Sequence, residues 1–490
     1  MPRDVSRREL LRAGGAGALG YATLGLTGAA AQSPARMNVV VVVMDSLRAD
    51  HIFGSRAHTS AWDRLGSQGV RFLNAHPEGM PTIPARRSIM SGRRVYPFRG
   101  WHPWPGLPPQ PGWEPVGIDG EMWTVTLGKA GWTTGYVTDN PHLLLPVHKR
   151  FRSKFDRVQL VHGQVPGSRG PHRVSRRELD EHLPKSLRGT RAEPRMRAYL
   201  AWNAPGRDEK DYNAAKVFRN AMDWIQWAGT RQPFALVIDS FDAHEPWDAP
   251  RRLIDMYGAP RAHGVEPIQP FATPAGKTSE LHLTQRLLRR MRQLYAAEVT
   301  MVDVWLGRFL DRLENLGLAG NTLVVAVSDH GVLLGERGWV GKRYSEMHEE
   351  LTHVPMAMRH PSGKAAGRRT NYFASTHDVG PTVLSALGVP APRGMNGADW
   401  SPLFDGKPPS RKRTYRTASY NTYLSASDGR WLLIAGNHKE ELRLYDRKHD
   451  RYERHNIAHR HPAKVRELWG KILHDAGGHL PHFKNVGGEG

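Results

Sequence analysis

Residues 38–44 read Asn-Val-Val-Val-Val-Val-Met, and Asp45 follows without a break. Five consecutive β-branched residues are stiff at χ1 and suit a pleated strand. A run with no polar alternation has no face to offer water, so this strand is covered on both sides, as in a central parallel sheet. In open α/β sheets ligands bind outside the carboxyl ends of the strands, and Asp45 stands at that end. Two further runs repeat the arrangement. Phe234 to Ile238 leads into the acidic and histidine-bearing stretch Asp239 to His244, and Thr322 to Val327 delivers Ser328-Asp329-His330-Gly331. Thr133 to Thr138 reads as another strand. Helical patterns lie between them: residues 58–72 with Trp62, Leu65 and Val70, a helix opening over Arg86 to Met90, and the long amphipathic stretch Thr284 to Leu316. Strands alternating with helices predict a doubly wound α/β domain.

The 490 residues accommodate one large domain and a smaller one. We place the catalytic α/β domain at 32–395. After about 395 the texture changes: Arg430 to Ile434 and Leu442 to Asp446 read as short strands and Val465 to Leu473 as a closing helix, a smaller α+β subdomain over 396–490. Residues 150–210 are Arg-rich, hold Pro and Gly, and show little apolar periodicity. They read as a basic surface insertion near the site, facing the substrate or, equally, a loop without a role.

The formal net charge is +22 and there is no cysteine. A positive field attracts acidic substrates, nucleic acid or anionic lipid. No zinc-finger spacing or other nucleic-acid motif is present, which leaves an anionic substrate or surface, or simply a solvated basic exterior. The missing thiols exclude disulfides, thiolate metal ligands and a Cys nucleophile. At the N-terminus, Ser6-Arg7-Arg8-Glu9-Leu10-Leu11-Arg12 precedes a weakly apolar Ala/Gly stretch ending in Ala29-Ala30-Ala31. This resembles a twin-arginine signal peptide over 1–31 and predicts export to the periplasm, cell envelope or exterior. No other apolar run is long enough to span a bilayer.

Asp45, the Asp242/His244 group and Asp329-His330 all follow strand ends. Carboxylates and imidazole placed together suit one divalent cation such as Ca, Mn, Zn or Mg. A hydroxyl beside such a cation loses its proton more easily and becomes a nucleophile. Thr82, in Met80-Pro81-Thr82-Ile83-Pro84-Ala85-Arg86, is the candidate. Pro81 and Pro84 stiffen the backbone around it. Arg86, four residues on, points back toward it if the segment is helical, and its guanidinium can grip an anionic oxygen.

In order and spacing, these motifs resemble the sulfatase family of the alkaline phosphatase superfamily, from about residue 37 to the C-terminal segment. Asp45-Ser46-Leu47-Arg48-Ala49-Asp50-His51 matches the opening metal motif. Trp62-Asp63-Arg64-Leu65 and Gly69-Val70-Arg71-Phe72 match the segment before the nucleophile. Thr82-Ile83-Pro84-Ala85-Arg86, with Ser91-Gly92-Arg93 after it, matches the sulfatase signature. Asp242-Ala243-His244-Glu245-Pro246-Trp247 matches a His-containing loop, Ser328-Asp329-His330-Gly331 the second metal motif, and Asp378 to Leu384 a late helix. The resemblance implies an alkaline-phosphatase-like fold. It implies that Asp45, Asp329 and His330, with the Thr82 oxygen, bind one divalent metal ion, and that Arg86 holds the nucleophile and the anionic group. His142, His244 and Lys342 would contact the transferred sulfuryl or phosphoryl group or protonate the leaving oxygen.

Three positions depart from the family pattern. Family members convert a signature Cys or Ser to formylglycine; Thr82 carries a methyl on Cβ and would give a ketone, so the usual cycle is not expected. Related exported phosphoethanolamine and phosphoglycerol transferases use Thr as nucleophile, through a phospho-threonine. Asn140 stands where the family has the Lys of a Lys-x-His motif, and Ser46 replaces the second Asp of an Asp-Asp opening. Three functions follow as expectations: an exported, metal-dependent hydrolase of sulfuric or phosphoric esters; a Thr-dependent phosphotransferase acting on an envelope lipid or glycan, against which the lack of membrane helices counts; and a non-catalytic, degenerate sulfatase fold that binds anions.

Overall fold

The computed structural model describes residues 36–164, 170–204, 206–258, 265–271, 275–409 and 411–483. The expected signal peptide, 1–31, lies outside them. The core is a mixed sheet whose main strands are β1 (Asn38–Met44), β2 (Val70–His76), β3 (Thr133–Thr138), β4 (Arg157–Leu160), β5 (Phe234–Ser240), β6 (Thr322–Ser328), β7 (Val354–Arg359) and β8 (Arg368–Thr370), in the order β8-β2-β7-β6-β1-β5-β3-β4. Strand β1 is central and parallel to both β5 and β6, while β7 runs antiparallel to its two neighbours. The described architecture is the expected α/β sheet with a smaller C-terminal sheet.

Every residue of β1 is buried. Its side chains alternate between two cores. Val40, Val42 and Met44 face one, with Trp62 and Leu65 of α1 (Ser60–Ser67). Val39, Val41 and Val43 face the other, with Ile83 and Ile89 of α2 (Thr82–Ser91). The first core also takes Met196, Tyr199 and Leu200 of α3 (Ala192–Trp202), Phe218 and Trp224 of α4 (Asn213–Ala228), and Phe309 and Leu310 of α5 (Gln285–Asn315). A strand apolar on both faces is thus covered by helices on both sides.

Two local expectations need correction. The helix expected over 58–72 ends at Ser67, and Val70 begins β2. Val70 and Phe72 are two residues apart on one face and both fully buried, and β7 on one side and β8 on the other claim their backbone; pairing overrides the i, i+3 spacing of Trp62 and Leu65. The helix expected to open at Arg86 instead opens at Thr82. Pro84 is tolerated because the first turn of a helix has no use for its N–H groups. The 150–210 stretch, expected as a basic surface insertion near the site, contains regular elements. It holds β4, paired to β3, and α3, whose apolar residues enter the core at i, i+3, i+4 spacing between arginines.

The C-terminal sheet consists of β9 (Arg416–Tyr420), β10 (Tyr423–Ser427), β11 (Trp431–Gly436) and β12 (Arg443–Asp446), all antiparallel. Helix α6 (Pro462–Asp475) packs Val465, Leu468 and Ile472 against it. Its β9 edge is extended by Gly79–Met80 of the main domain, paired in parallel. The backbone leading into Thr82 is therefore fixed by both sheets. Among the described residues, no helix is long and apolar enough to cross a membrane.

Candidate active site

Strand parity assembles the site. Asp45, Asp239 and Asp329 lie two residues beyond Val43, Val237 and Val327, all of which point into the core containing α2. In register, Val43 faces Asp239 of β5 and Val327 of β6. Three carboxylates are thus delivered to one face at the carboxyl edge of adjacent strands, all at most 1% exposed. Helix α2 presents its N-terminus there, the positive end of its dipole, with Thr82 as its first residue. Ser46, at φ 58, occupies the left-handed region, an uncommon conformation for a non-glycine residue. Its N–H donates to Asp329 Oδ1 at 3.0 Å and its hydroxyl to Asp45 Oδ1 at 2.8 Å.

Arg86 meets the three carboxylates. Nε and an Nη donate to the two oxygens of Asp239 at 3.1 and 2.7 Å. The other Nη lies 3.0 Å from Asp45 Oδ2, contacts Asp329, and donates to the Thr82 carbonyl at 3.2 Å. The Tyr136 hydroxyl donates to Asp239 at 2.6 Å. Burial, and then the charge of Asp329, push the Asp45 carboxyl above its ordinary range.

Asp45, Asp329 and His330 can bring one ligand atom each within 4.8 Å of one another. Two further observations test whether a cation fits. His330 Nδ1 lies 2.8 Å from the Gly331 carbonyl, which places the proton there and leaves the Nε2 lone pair facing Asp45 Oδ1 at 3.7 Å and Asp329 Oδ2 at 3.5 Å. That is the usual orientation of a ligating imidazole. Burial holds His330 down at about 4, so the ring is neutral near pH 7. In addition, Asp45 Oδ2 is buried and, although close to Arg86, has no hydrogen bond of good geometry. The donor set fits a divalent cation. The Thr82 hydroxyl lies 3.4 Å from His330 Nε2, beside that set.

Thr82 opens onto a cleft of about 430 Å³ lined also by Trp113, His142, Phe241, His244 and Lys342. Pro194, Arg195, Ala198 and Tyr199 from α3 and Tyr420 from β9 complete the wall. His142 packs edge-on against Trp113, centroids 4.9 Å apart; burial, and then the Arg86 charge, lower it to about 3. His244 stacks on Phe241 at 4.0 Å. Its Nδ1 is 2.7 Å from the Glu245 carbonyl and its Nε2 is 2.9 Å from Lys342 Nζ, and burial followed by the Lys342 charge keeps it well below its ordinary value. Neither histidine carries a proton to spare at neutral pH. Of the three groups expected to protonate a leaving oxygen, Lys342 is the one cation, and it lines the cleft.

The expected site residues are thus gathered: Thr82, His142, His244 and Lys342 line the cleft, and Asp45, Arg86, Asp329 and His330 cluster beside Thr82. Asp242 is not. It accepts from the Ala214 N–H at 2.8 Å and from Gln164, and belongs to the scaffold. Asp239 and Glu245 are the groups that motif reading missed. Asp239 carried a usable signal, being two residues from buried Val237 on the face that receives α2.

The sulfatase family model matches residues 37–389. The chain belongs to the sulfatase family. As a member it is a sulfatase-like ester hydrolase of the alkaline phosphatase superfamily. A second model, N-sulphoglucosamine sulphohydrolase, C-terminal, matches residues 335–474. N-acetylglucosamine-6-O-sulfatase of Bacteroides thetaiotaomicron is 34% identical over 179 residues, 33% of this chain and 31% of that protein. Arylsulfatase of Clostridium perfringens is 22% identical over 82% of this chain and 84% of its own length. The multifunctional alkaline phosphatase superfamily protein PehA of Trinickia caryophylli is 24% identical over 76% and 78%. Among solved structures, the phosphonate monoester hydrolase of Agrobacterium radiobacter superposes with a TM-score of 0.69 at 20% identity, covering 91% of this chain and 96% of that one. This last likeness speaks to the fold alone.

Proposed function

We propose that the protein hydrolyses sulfuric or phosphoric esters with the Thr82 hydroxyl as nucleophile. One observation carries the reading: Thr82 Oγ1 sits at the floor of the cleft and 3.4 Å from His330 Nε2. A divalent cation held by Asp45, Asp329 and His330 would supply positive charge where the ester oxygens gather negative charge, and would ease deprotonation of a nearby hydroxyl. Arg86 fixes the start of α2 through the Thr82 carbonyl and sets the hydroxyl's direction, a positioning role. The α2 N-terminus adds a favourable dipole for an anion. Lys342 lines the same cleft and would exchange one of its present acceptors for the leaving oxygen. His244, fixed as the Nδ1–H tautomer, holds Lys342 in place. Trp113, Phe241 and Tyr199 exclude water from the ester's organic part.

Thr82→Ala is expected to abolish turnover of aryl sulfate, phosphate monoester and phosphate diester alike. Intact-mass measurement after substrate addition is expected to show an adduct on the wild-type peptide containing Thr82. Full activity in the alanine variant would remove Thr82 from the chemistry. Phosphorus esters stay in the panel because PehA is named multifunctional and shares 76% of this chain's length. Export through the twin-arginine route is part of the proposal; it rests on Arg7, Arg8 and the Ala/Gly stretch that follows.

A further inference from the structure

We propose that Glu245 sets the charge selectivity of the cleft: by neutralising Lys342 it fits the site to esters carrying one negative charge and against those carrying two. The inference rests on the hydrolase reading above, and its test separates the two.

Lys342 is held by its neighbours on the protein. Its Nζ lies 2.9 Å from each oxygen of Glu245 and 2.9 Å from His244 Nε2. An ammonium has three N–H donors, and these three acceptors engage all of them. Both side chains are nearly buried, at 7% and 4% exposure, so solvent does little to weaken the pair. Arg86 is likewise compensated, by Asp45, Asp239 and Asp329. The histidines of the cleft floor are held neutral by burial. The other cation among the described lining residues is Arg195, on the α3 wall. Near the ester group, the protein's own positive charges are therefore matched or outnumbered by its carboxylates. Any cation bound by Asp45, Asp329 and His330 adds the same charge whatever occupies position 245.

An incoming monoanion, such as a sulfate monoester, a phosphate diester or a phosphonate monoester, takes one N–H of Lys342 in place of one carboxylate oxygen. A phosphate monoester above its second ionisation brings a second charge next to Glu245, and like charges at short range in a half-closed cleft repel strongly. Replacing Glu245 by Gln removes that repulsion and frees Lys342, while keeping the size of the side chain and one acceptor. The backbone carbonyl that fixes His244 is untouched.

The test measures kcat/KM for p-nitrophenyl sulfate, bis-p-nitrophenyl phosphate and p-nitrophenyl phosphate, with calorimetric binding of inorganic phosphate as a readout independent of turnover. In the wild type, the ratio of monoester to diester kcat/KM is expected to fall as pH rises through the monoester's second ionisation, near ~6. Glu245→Gln should raise that ratio about tenfold above this pH and tighten dianionic phosphate binding about tenfold. Glu245→Asp, which keeps the charge, should keep the wild-type monoester-to-diester ratio and its pH dependence, whatever it does to kcat. A ratio unchanged in the Gln variant, or an Asp variant that behaves like Gln, overturns the proposal. Should Glu245→Gln fail to fold, the wild-type profile decides: dianion and monoanion turned over equally well would overturn it. If the wild type turns over no ester yet phosphate binding still depends on Glu245 in this way, the hydrolase reading fails and the charge selectivity stands.

Discussion

Arg86→Lys is the most informative single change, because it keeps the charge and alters only geometry. The guanidinium makes a two-pronged contact with Asp239 while its other Nη serves Asp45, Asp329 and the Thr82 carbonyl. A lysine ammonium has three donors on one atom. Placed to serve Asp45 and Asp329 it gives up the paired contact with Asp239. Two charge-assisted hydrogen bonds are then lost, each worth roughly 1.5–3 kcal/mol. Relaxation of the Tyr136 and Asp239 side chains recovers part of this, which leaves an expected loss of about 3 kcal/mol in urea unfolding. The freed Thr82 carbonyl lets the first turn of α2 shift, and a misplacement on the order of 1 Å costs about a hundredfold in turnover. With Asp239 less compensated, added divalent cation should restore more stability to the variant than to the wild type. A variant as stable as wild type in the presence of chelator, with turnover reduced less than threefold, would refute the claim that the fork geometry of Arg86 organises the site.

Chelator treatment should destabilise the wild type, and titrating Ca, Mn or Zn back should restore it; saturation at 100 times the dissociation constant corresponds to about 2.7 kcal/mol. No change in the unfolding midpoint would argue against a cation at Asp45, Asp329 and His330. His330→Ala should remove this metal-dependent increment while leaving the chelated protein's stability close to that of chelated wild type, measured by the same titration. Glu78 provides a pH test: burial outweighs its Arg94 neighbour and its two amide donors, Val95 and Tyr96, and pushes its carboxyl up to about 7. The folded protein then keeps a proton that the unfolded chain releases near ~4.3. Its stabilising contribution is full below that pH and is lost as pH rises to about 7, so the stability of wild type relative to Glu78→Gln should fall by roughly 3 kcal/mol across this window; a flat difference would contradict the assignment. Replacing Arg7 and Arg8 together by Lys in the full-length precursor should leave it inside the cell; normal export of that variant would rule out the twin-arginine route.

The sheet was legible because its strands are extreme. Asn38 to Met44, Phe234 to Ile238 and Thr322 to Val327 have almost no polar residue, and nothing but burial on both faces accommodates them. The same reasoning failed where the signal was weak or shared. Val70 and Phe72 continue an apolar spacing begun by Trp62 and Leu65, and the choice of strand there is made by β7 and β8, more than two hundred residues away in sequence. In 150–210 the few apolar side chains of α3 are diluted by Arg, so the helix has little amphipathic contrast, yet Met196, Tyr199 and Leu200 still find the core. The joining of Gly79–Met80 to the C-terminal sheet left no trace in the sequence, since two residues carry no periodicity.

The site shows the same division more sharply. Asp239, near the end of β5, and Asp242, just after it, are three residues apart, and the motif pointed to Asp242 and not to Asp239. In a strand, side chains alternate with period two, so Asp239 shares the face of Val237 and meets Arg86 from α2, while a residue three positions on falls on the other parity even before the chain turns. Asp242 accordingly takes its partners from α4 and Gln164. Parity therefore identifies the carboxylates that meet Arg86: Asp45, Asp239 and Asp329 each extend the valine row that α2 covers. Hydrogen bonding separates the two hydroxyls nearby, since that of Thr82 has, among the described residues, only the long 3.4 Å contact to His330 Nε2. The Ser46 hydroxyl is spent on Asp45, and its neighbour's amide on the Ser328 oxygen, so that the turn after β1 is locked. Thr82, at the first turn of α2, where backbone and dipole both favour an anion, keeps its hydroxyl turned to the cleft.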